Sequence, residues 1–189
     1  GLRVLVGKRQ ACVSASDTTS ATITALAERA VAMAREAPED ATAGLAEASQ
    51  LASGWDLAAL DLADPAGEPG ASVLEASARA VEAAALEAAG ITQVEASAGY
   101  SRRALHMAAT NGFSEGYGRT STSLSAVAFT GAGTEMQRDY AGEGRIYAAD
   151  MPSAQEIGRL AAERTLQRVG SVKPKTGTYP VVYDERVAA

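Results

Sequence analysis

Apolar residues recur at intervals of three and four positions in three stretches of the chain, and this spacing predicts three amphipathic helices. The first stretch follows the cap candidates Asp17 to Ser20 and ends before Pro38. The other two open with a serine followed three residues later by a glutamate, which predicts capping boxes at Ser72/Glu75 and Ser153/Glu156. In the third helix the residues predicted to face inward are Ile157, Leu160, Ala161, Thr165 and Val169.

Strand-like runs fill the remaining regular part of the chain. Residues 1–16 predict a hairpin that turns at Gly7-Lys8, and Asn111-Gly112 is typical of a two-residue hairpin turn. We predict further strands at about 91–101, 103–110, 113–130, 134–148 and 179–183. Hairpins separated by helices favour an α+β fold, with an antiparallel or mixed β-sheet and the helices packed on one face.

The length fits one domain. We predict a single α+β domain over residues 1–189, with a Gly- and Pro-rich surface excursion at about 38–71 and one helical turn near 57–60. The chain opens on Gly1 directly before an apolar run and stops just after another one. We therefore expect it to be a piece of a longer protein.

Composition argues against several classes of function. Seventeen basic and 23 acidic residues give a net charge of −6, with no dense Lys/Arg patch, so direct nucleic-acid binding is disfavoured. No run of apolar residues is long enough to predict a membrane span. A lone cysteine fits a reducing compartment, and we expect a cytoplasmic protein.

Histidine and cysteine occur once each, as His106 and Cys12. Zinc sites use three or four protein ligands, mostly imidazole and thiolate, so the sequence predicts no metal site and no complete catalytic centre. His106 is interpreted as a half-buried strand residue, and Cys12 as a small buried thiol. The alternative is a small self-sufficient hydrolase that uses His106 with Cys12 or a serine as nucleophile. The loop carboxylates, among them Asp61 and Asp64, are interpreted as solvated.

Two segments, 109–117 and 135–140, combine scarce aromatic residues with polar ones. Either they form ordinary sheet packing, with Arg138 paired to a nearby acid, or they form a surface for an extended peptide or a partner subunit. The candidate contact residues are Asn111, Phe113, Tyr117, Arg138 and Tyr140.

These segments belong to a set of stretches through which the chain resembles the bacterial TldD/PmbA family, and more closely its PmbA (TldE) branch, the modulators of DNA gyrase. Among them are ATNGF at 109–113, QRDY at 137–140 and KPKTGTYPVVY at 173–183. The others are 1–4, 13–17, 26–35 and 37–40.

The resemblance implies most of the N-terminal domain of a PmbA/TldE-like protein, without its C-terminal domain. It also implies a cytosolic heterodimeric metallopeptidase, in which a TldD-like subunit carries zinc on an HExxxH motif. Such a complex cleaves unfolded peptides, matures a peptide antibiotic and degrades an antitoxin, and it affects gyrase indirectly. This chain has no HExxxH motif, so the resemblance implies a scaffold role whose strand edges pair with an extended substrate. Direct contact with gyrase is a further alternative, and uncovered strands would allow the piece to self-associate.

Overall fold

The computed structural model describes residues 1–188 of the chain. Three helices and two antiparallel sheets confirm the predicted α+β class. The elements are β1 (Leu2–Val6), β2 (Arg9–Val13), α1 (Ser20–Glu36), α2 (Ala71–Leu86), β3 (Ile91–Ala108), β4 (Ser114–Thr130), β5 (Gln137–Arg145) and α3 (Ala154–Leu166). Single 3₁₀ turns lie at Ala48–Gln50, Gly133–Glu135, Ala148–Asp150 and Glu185–Val187.

Contacts divide the chain into two compact units. The first contains Gly1–Trp55 and the hairpin tip His106–Gly116, and the second contains Asp56–Leu105 and the chain from Tyr117 onward. The predicted single sheet is therefore two separate sheets, one of two strands and one of three. That the chain forms one domain stays a prediction.

In the first unit, α1 packs against the β1–β2 hairpin, whose register runs from Leu2 opposite Val13 to Val6 opposite Arg9. Thr19 caps the start of the helix by accepting from the Thr22 backbone N–H. At the other end, Arg9 of β2 donates to the carbonyls of Arg35 (3.1 Å) and Ala37 (2.9 Å). These are carbonyls that a helix end leaves without intrahelical partners, so one arginine joins the hairpin to the helix.

In the second unit the three-stranded sheet has the order β3-β4-β5, and α2 and α3 lie on one face of it. The core is built of small side chains: Val81, Ala85, Val94, Leu124, Ala126, Ala128, Ala141, Ile157, Ala161 and Ala162.

Small side chains let α2 and α3 approach closely, and Gly158 lies at that crossing. A Cβ at Gly158 would come within 2.5 Å of the Val81 carbonyl oxygen and 2.9 Å of the Ala84 Cβ. The two helix backbones therefore meet at a position that only glycine fits.

The fully buried hydroxyl of Thr165 joins α3 to the sheet. Its single proton is shared between the carbonyls of Ala161 (2.8 Å) in the same helix and Ala128 (3.1 Å) in β4, and its oxygen accepts from the backbone N–H of Asp139 (3.1 Å). Its position over two strands fixes the end of α3 against β4 and β5.

Several predicted details are wrong. The capping box at Ser153/Glu156 is present, but α2 starts after Gly70, without a side-chain cap. Leu160 and Val169 are exposed, because α3 turns its Gly158 and Ala162 side inward and ends at Leu166.

The β region also differs from the prediction. The two strands predicted at 91–101 and 103–110 are one continuous strand, β3, and residues 57–60 form a turn. No strand forms over 179–183, where Val181 and Val182 are largely exposed and lack the buried face that would hold a strand. None of the helices in residues 1–188 is both long and apolar enough to cross a membrane.

Gly158→Ala tests the helix crossing. We expect a loss of about 1–3 kcal/mol in the free energy of unfolding, because overpacking a backbone contact outweighs alanine's helix propensity. Denaturant unfolding measures the change, and Gln155→Ala on the exposed side of α3 is the matched control. A Gly158→Ala protein as stable as the wild type would contradict the close approach.

Candidate functional site

The sheet of the second unit has one buried face and one outer face. Along β4 the buried residues Leu124, Ala126, Ala128 and Thr130 alternate with the partly exposed Ser125, Val127 and Phe129. In the β4–β5 register Phe129 lies opposite Arg138, and Val127 lies opposite Tyr140. Since directly opposite residues share a face, Arg138 and Tyr140 stand on the outer face beside Val127 and Phe129. Residues 137–140 therefore alternate between the two faces of the sheet.

Arg138 and Tyr140 differ in what they contact. Tyr140 is 46% exposed, and the guanidinium of Arg186 lies 5.4 Å from the centre of its ring. Arg138 is exposed, and no acid within residues 1–188 forms an ion pair with it. The predicted pairing of Arg138 with a nearby acid is therefore wrong.

Asp139, between them, faces the other way and is only 10% exposed. Its carboxylate binds Arg186 at 2.9 Å and Arg168 at 3.3 Å, and it accepts from the backbone N–H of Tyr140 at 2.8 Å. Burial raises the pKa of Asp139. The Tyr140 N–H and the two guanidinium groups lower it by more than burial raises it, so the pKa is below its ordinary value. The sequence gives no signal for this cluster, because Arg186 lies 47 residues further along the chain.

The backbone edge of β5 is covered at this point. The carbonyl of Tyr140 accepts from Arg164 (3.2 Å) and from Arg186 (3.5 Å). The opposite edge of the sheet belongs to β3, whose only neighbouring strand among residues 1–188 is β4. An extended chain could therefore pair with β3 more readily than with β5.

Asn111 and Phe113 shape the tip of the β3–β4 hairpin, in the first unit. The Asn111 amide donates to the Ala46 carbonyl (3.0 Å), and its oxygen accepts from the Phe113 backbone N–H (3.2 Å). Ala109 N–H donates to the Phe113 carbonyl (2.9 Å), and Gly112 has a φ of 95°. The turn is thus a three-residue loop with its glycine in the left-handed region, and not the two-residue turn predicted. Both polar groups of Asn111 are engaged in holding the loop.

Tyr117 lies on the part of β4 where the hairpin is open to solvent. It is 45% exposed, and residues 101–108 of β3 are exposed throughout. Leu105 and Met107 are among them, so this stretch presents apolar side chains to solvent. Tyr117, Arg138 and Tyr140 belong to the second unit, whereas Asn111 and Phe113 belong to the first.

His106 and Cys12 are both exposed, so their predicted burial is wrong. The His106 Nε2 lies 3.2 Å from the Ser114 hydroxyl, across the hairpin. No carboxylate among residues 1–188 forms a hydrogen bond with this imidazole, so the pair lacks the third group that orients a catalytic histidine.

Asp61 and Asp64 serve the fold and are not simply solvated. Asp64 accepts from the backbone N–H groups of Ala148 and Ala66, both at 2.8 Å, and these bonds lower its pKa below the ordinary value. Asp61 accepts from the Tyr147 hydroxyl. Asp64 also lines a cleft of about 400 Å³ whose walls include Leu74, Leu124 and Met151. Sequence analysis missed this cleft, because its walls come from four separate segments.

A metal ion does not fit the described part of the chain. Among residues 1–188 no three or more His, Cys, Asp or Glu side chains are grouped so that they could hold one. We therefore derive no chemistry through a bound metal for these residues.

Together, residues 1–188 form an α+β fold with an open strand edge on β3 and an exposed sheet face on β4 and β5. The model of the family described as the PmbA/TldA metallopeptidase central domain matches residues 13–169. This chain belongs to the PmbA/TldA metallopeptidase family. The description of the match places these residues in a central domain, whereas sequence analysis assigned the chain to an N-terminal domain.

Individual relatives support the assignment of the chain to this family. The chain is 30% identical over all 189 residues to metalloprotease PmbA from Escherichia coli O157:H7, and it spans 42% of that protein. A crystal structure of a candidate modulator of DNA gyrase from Bacteroides thetaiotaomicron is 25% identical, with a TM-score of 0.78 over 94% of this chain and 41% of that one. A similarly named protein from Thermotoga maritima, 15% identical, shares the fold with a TM-score of 0.59 over 93% of this chain and 38% of that one.

Asp139→Asn tests the cluster around the buried carboxylate. Because the folded pKa is lowered, the ionised group stabilises the fold above its ordinary pKa of about 3.9, and this contribution is lost as the pH falls through the folded pKa. We expect Asp139→Asn to lower the free energy of unfolding by about 1–3 kcal/mol at pH 7. Between neutral and acid pH the free energy of unfolding should then fall less than it does in the wild type.

Urea unfolding at pH 7 and pH 3 measures both effects. Glu82→Gln, an exposed carboxylate on α2 without an ion pair in the described chain, is the control. Equal pH dependence in Asp139→Asn and wild type would contradict the assignment.

Proposed function

We propose that this chain is a non-catalytic scaffold domain of a TldE/PmbA-like subunit, in a zinc-dependent metallopeptidase complex that acts on unfolded peptides. One observation carries the proposal: the chain belongs to a metallopeptidase family, yet it contains only one histidine and one cysteine. Structural and catalytic zinc sites draw on several such ligands. The zinc would then belong to a TldD-like partner, in a cytoplasmic heterodimer.

The names of the relatives are consistent with this proposal. One is a metalloprotease, and two are candidate modulators of DNA gyrase. We infer that the parent complex matures or degrades peptides, an antitoxin among them, and that its effect on gyrase is indirect. The net charge of −6 argues against contact with gyrase through its DNA.

The outer face of the sheet is the proposed contact surface. Arg138 offers an unpaired cation within the described residues, and Tyr140 offers an exposed ring next to Val127 and Phe129. Arg and Tyr, together with Trp, are enriched among the interface residues that contribute most to binding energy. Tyr117 is a further exposed candidate in the second unit. Asn111 and Phe113 are separate candidates in the first unit, where they shape the hairpin tip.

Reconstitution tests the scaffold role. The full-length protein alone should bind no zinc and leave an unstructured peptide intact, whereas a TldD-like partner added to it should cleave the peptide, with zinc found only in that partner. Metal analysis of each subunit and mass spectrometry of the products give the readout. An inert pair, or zinc in this subunit alone, would contradict the proposal.

Arg138→Ala and Tyr140→Ala test the contact surface. Each should weaken binding of the partner or of a fluorescent unstructured peptide by about 1–2 kcal/mol, roughly five- to thirtyfold in Kd, because each removes an exposed anchor. Tyr140→Phe should bind like the wild type, since it keeps the ring that Arg186 covers. Arg159→Ala and Tyr183→Ala, at other exposed positions, are matched controls. Unchanged affinities in the first two variants would remove these residues from the surface.

The hydrolase alternative rests on the 3.2 Å distance between His106 and Ser114. It requires that the isolated protein hydrolyse an ester or peptide and that His106→Ala abolish this activity. Activity that survives the substitution, or no activity at all, would end this alternative.

A further inference from the structure

The outer edge of β3 is an open strand edge in the second unit, because β4 is its only neighbouring strand among residues 1–188. Ala109 N–H donates to the Phe113 carbonyl at the hairpin tip, and the Ser97 and Ser125 hydroxyls meet at 2.9 Å. Residue 109 lies twelve positions after 97, and 113 lies twelve before 125, so the two contacts share one register. β3 and β4 therefore pair without a bulge between residues 97 and 109.

This register shows which groups of β3 point outward. In an antiparallel pair, alternate residues direct both backbone groups toward the same side. Ala109 bonds toward β4, so the odd-numbered residues of β3 bond inward and the even-numbered ones point to the open edge. No strand or side chain among residues 1–188 bonds to these outward groups over 94–104.

On one face of the sheet, the β3 edge carries one exposed acid and one exposed base, so two antiparallel copies of this edge have complementary charges. Glu95 and Arg103 are exposed, and neither has an ion-pair partner in the part of the chain that the structure describes. Their numbers differ by an even count, so both lie on the same face of the sheet. Gly99 is midway between them.

We propose that a second copy of this chain pairs with the outer edge of β3, antiparallel, with a two-fold axis at Gly99. Each Glu95 then lies opposite the Arg103 of the other copy, and this contact occurs twice. The two three-stranded sheets join into one six-stranded sheet. This pairing forms between two copies of the protein without a TldD-like partner, independently of the proposed function.

The geometry favours this register over its neighbours. Opposite residues in a continuous sheet share a face, and only the axis at Gly99 brings an acid and a base of β3 directly opposite each other. An axis at Glu95, Arg102 or Arg103 would place like charges opposite each other, which is destabilising.

The local geometry at the axis also fits. The odd-numbered residues would form the non-hydrogen-bonded pairs of the new ladder, in which side chains stand closest. At the axis itself the two Gly99 residues have no side chains to collide.

A charge exchange tests the ion pairs. Glu95→Arg and Arg103→Glu should each weaken self-association of the full-length protein by about tenfold or more in Kd, since each turns two attractions into repulsions. The double variant should recover most of the wild-type affinity. Sedimentation equilibrium gives the Kd, and Glu82→Arg on α2 is the control. A monomeric wild type, or a dimer that none of these changes affects, overturns the proposal.

A cysteine placed at the axis tests the register directly. In a Cys12→Ser background, Gly99→Cys should form a disulfide-linked dimer under mild oxidation, because opposite Cα atoms in a non-hydrogen-bonded pair are about 4.5 Å apart. Ser101→Cys is the matched control, since its two copies would be offset by four residues, about 13 Å along the strands. Equal cross-linking of both variants, or none at Gly99→Cys, overturns the register.

Ala104→Pro tests the open edge of β3 without disturbing the rest of the sheet. Its N–H points outward, so proline removes a bond to the second copy and leaves the β3–β4 ladder intact. We expect monomers with the far-ultraviolet circular dichroism and melting temperature of the wild type. A folded Ala104→Pro variant that still dimerises, or edge variants that lose peptide binding while dimerising normally, would assign the edge to another occupant and overturn the proposal.

Discussion

The close contact between α2 and α3 at Gly158 is the constraint on which the second unit depends. Its core contains no aromatic side chain, and its largest members are leucine, isoleucine and valine. Such a core excludes water only if the backbones come close together, because alanine side chains reach a short distance. Gly158 permits that approach, and the buried Thr165 hydroxyl fixes the same helix to two strands. The face of the sheet opposite these helices is the outer face, and the β3 edge of the same sheet is open.

The elements of the fold could largely be predicted from the sequence. Periodic apolar spacing gave the three helices, and the Ser153/Glu156 capping box formed as predicted because its two partners are local. The predictions that proved wrong concern residues whose burial or pairing depends on contacts distant in the sequence. Leu160 fits the helical pattern but is exposed, since the inward side of α3 is set by the fit of Gly158 against α2. Tyr179 to Tyr183 have the composition of a strand, yet they form none, and their valines are largely exposed.

The candidate site could be predicted only in part, for a similar reason. Alternation placed Arg138 and Tyr140 on one face, because period-two patterns report local geometry. What surrounds them could not be derived from the sequence: Arg186 reaches Asp139 and Tyr140 from the far end of the chain. The same holds for Asn111, where a turn signal was recognised but its bond to Ala46 was not. The family resemblance found in the sequence is confirmed by the match over residues 13–169.

Arg9 has a consequence for the motions of the first unit. Its guanidinium joins the second strand of the hairpin to the last carbonyls of α1, so fraying of the helix end breaks the same bonds that anchor the strand. Segments linked in this way exchange their amide hydrogens together, as one cooperative opening unit. A two-stranded ribbon is marginal by itself, so we expect the hairpin to open together with the helix that it contacts.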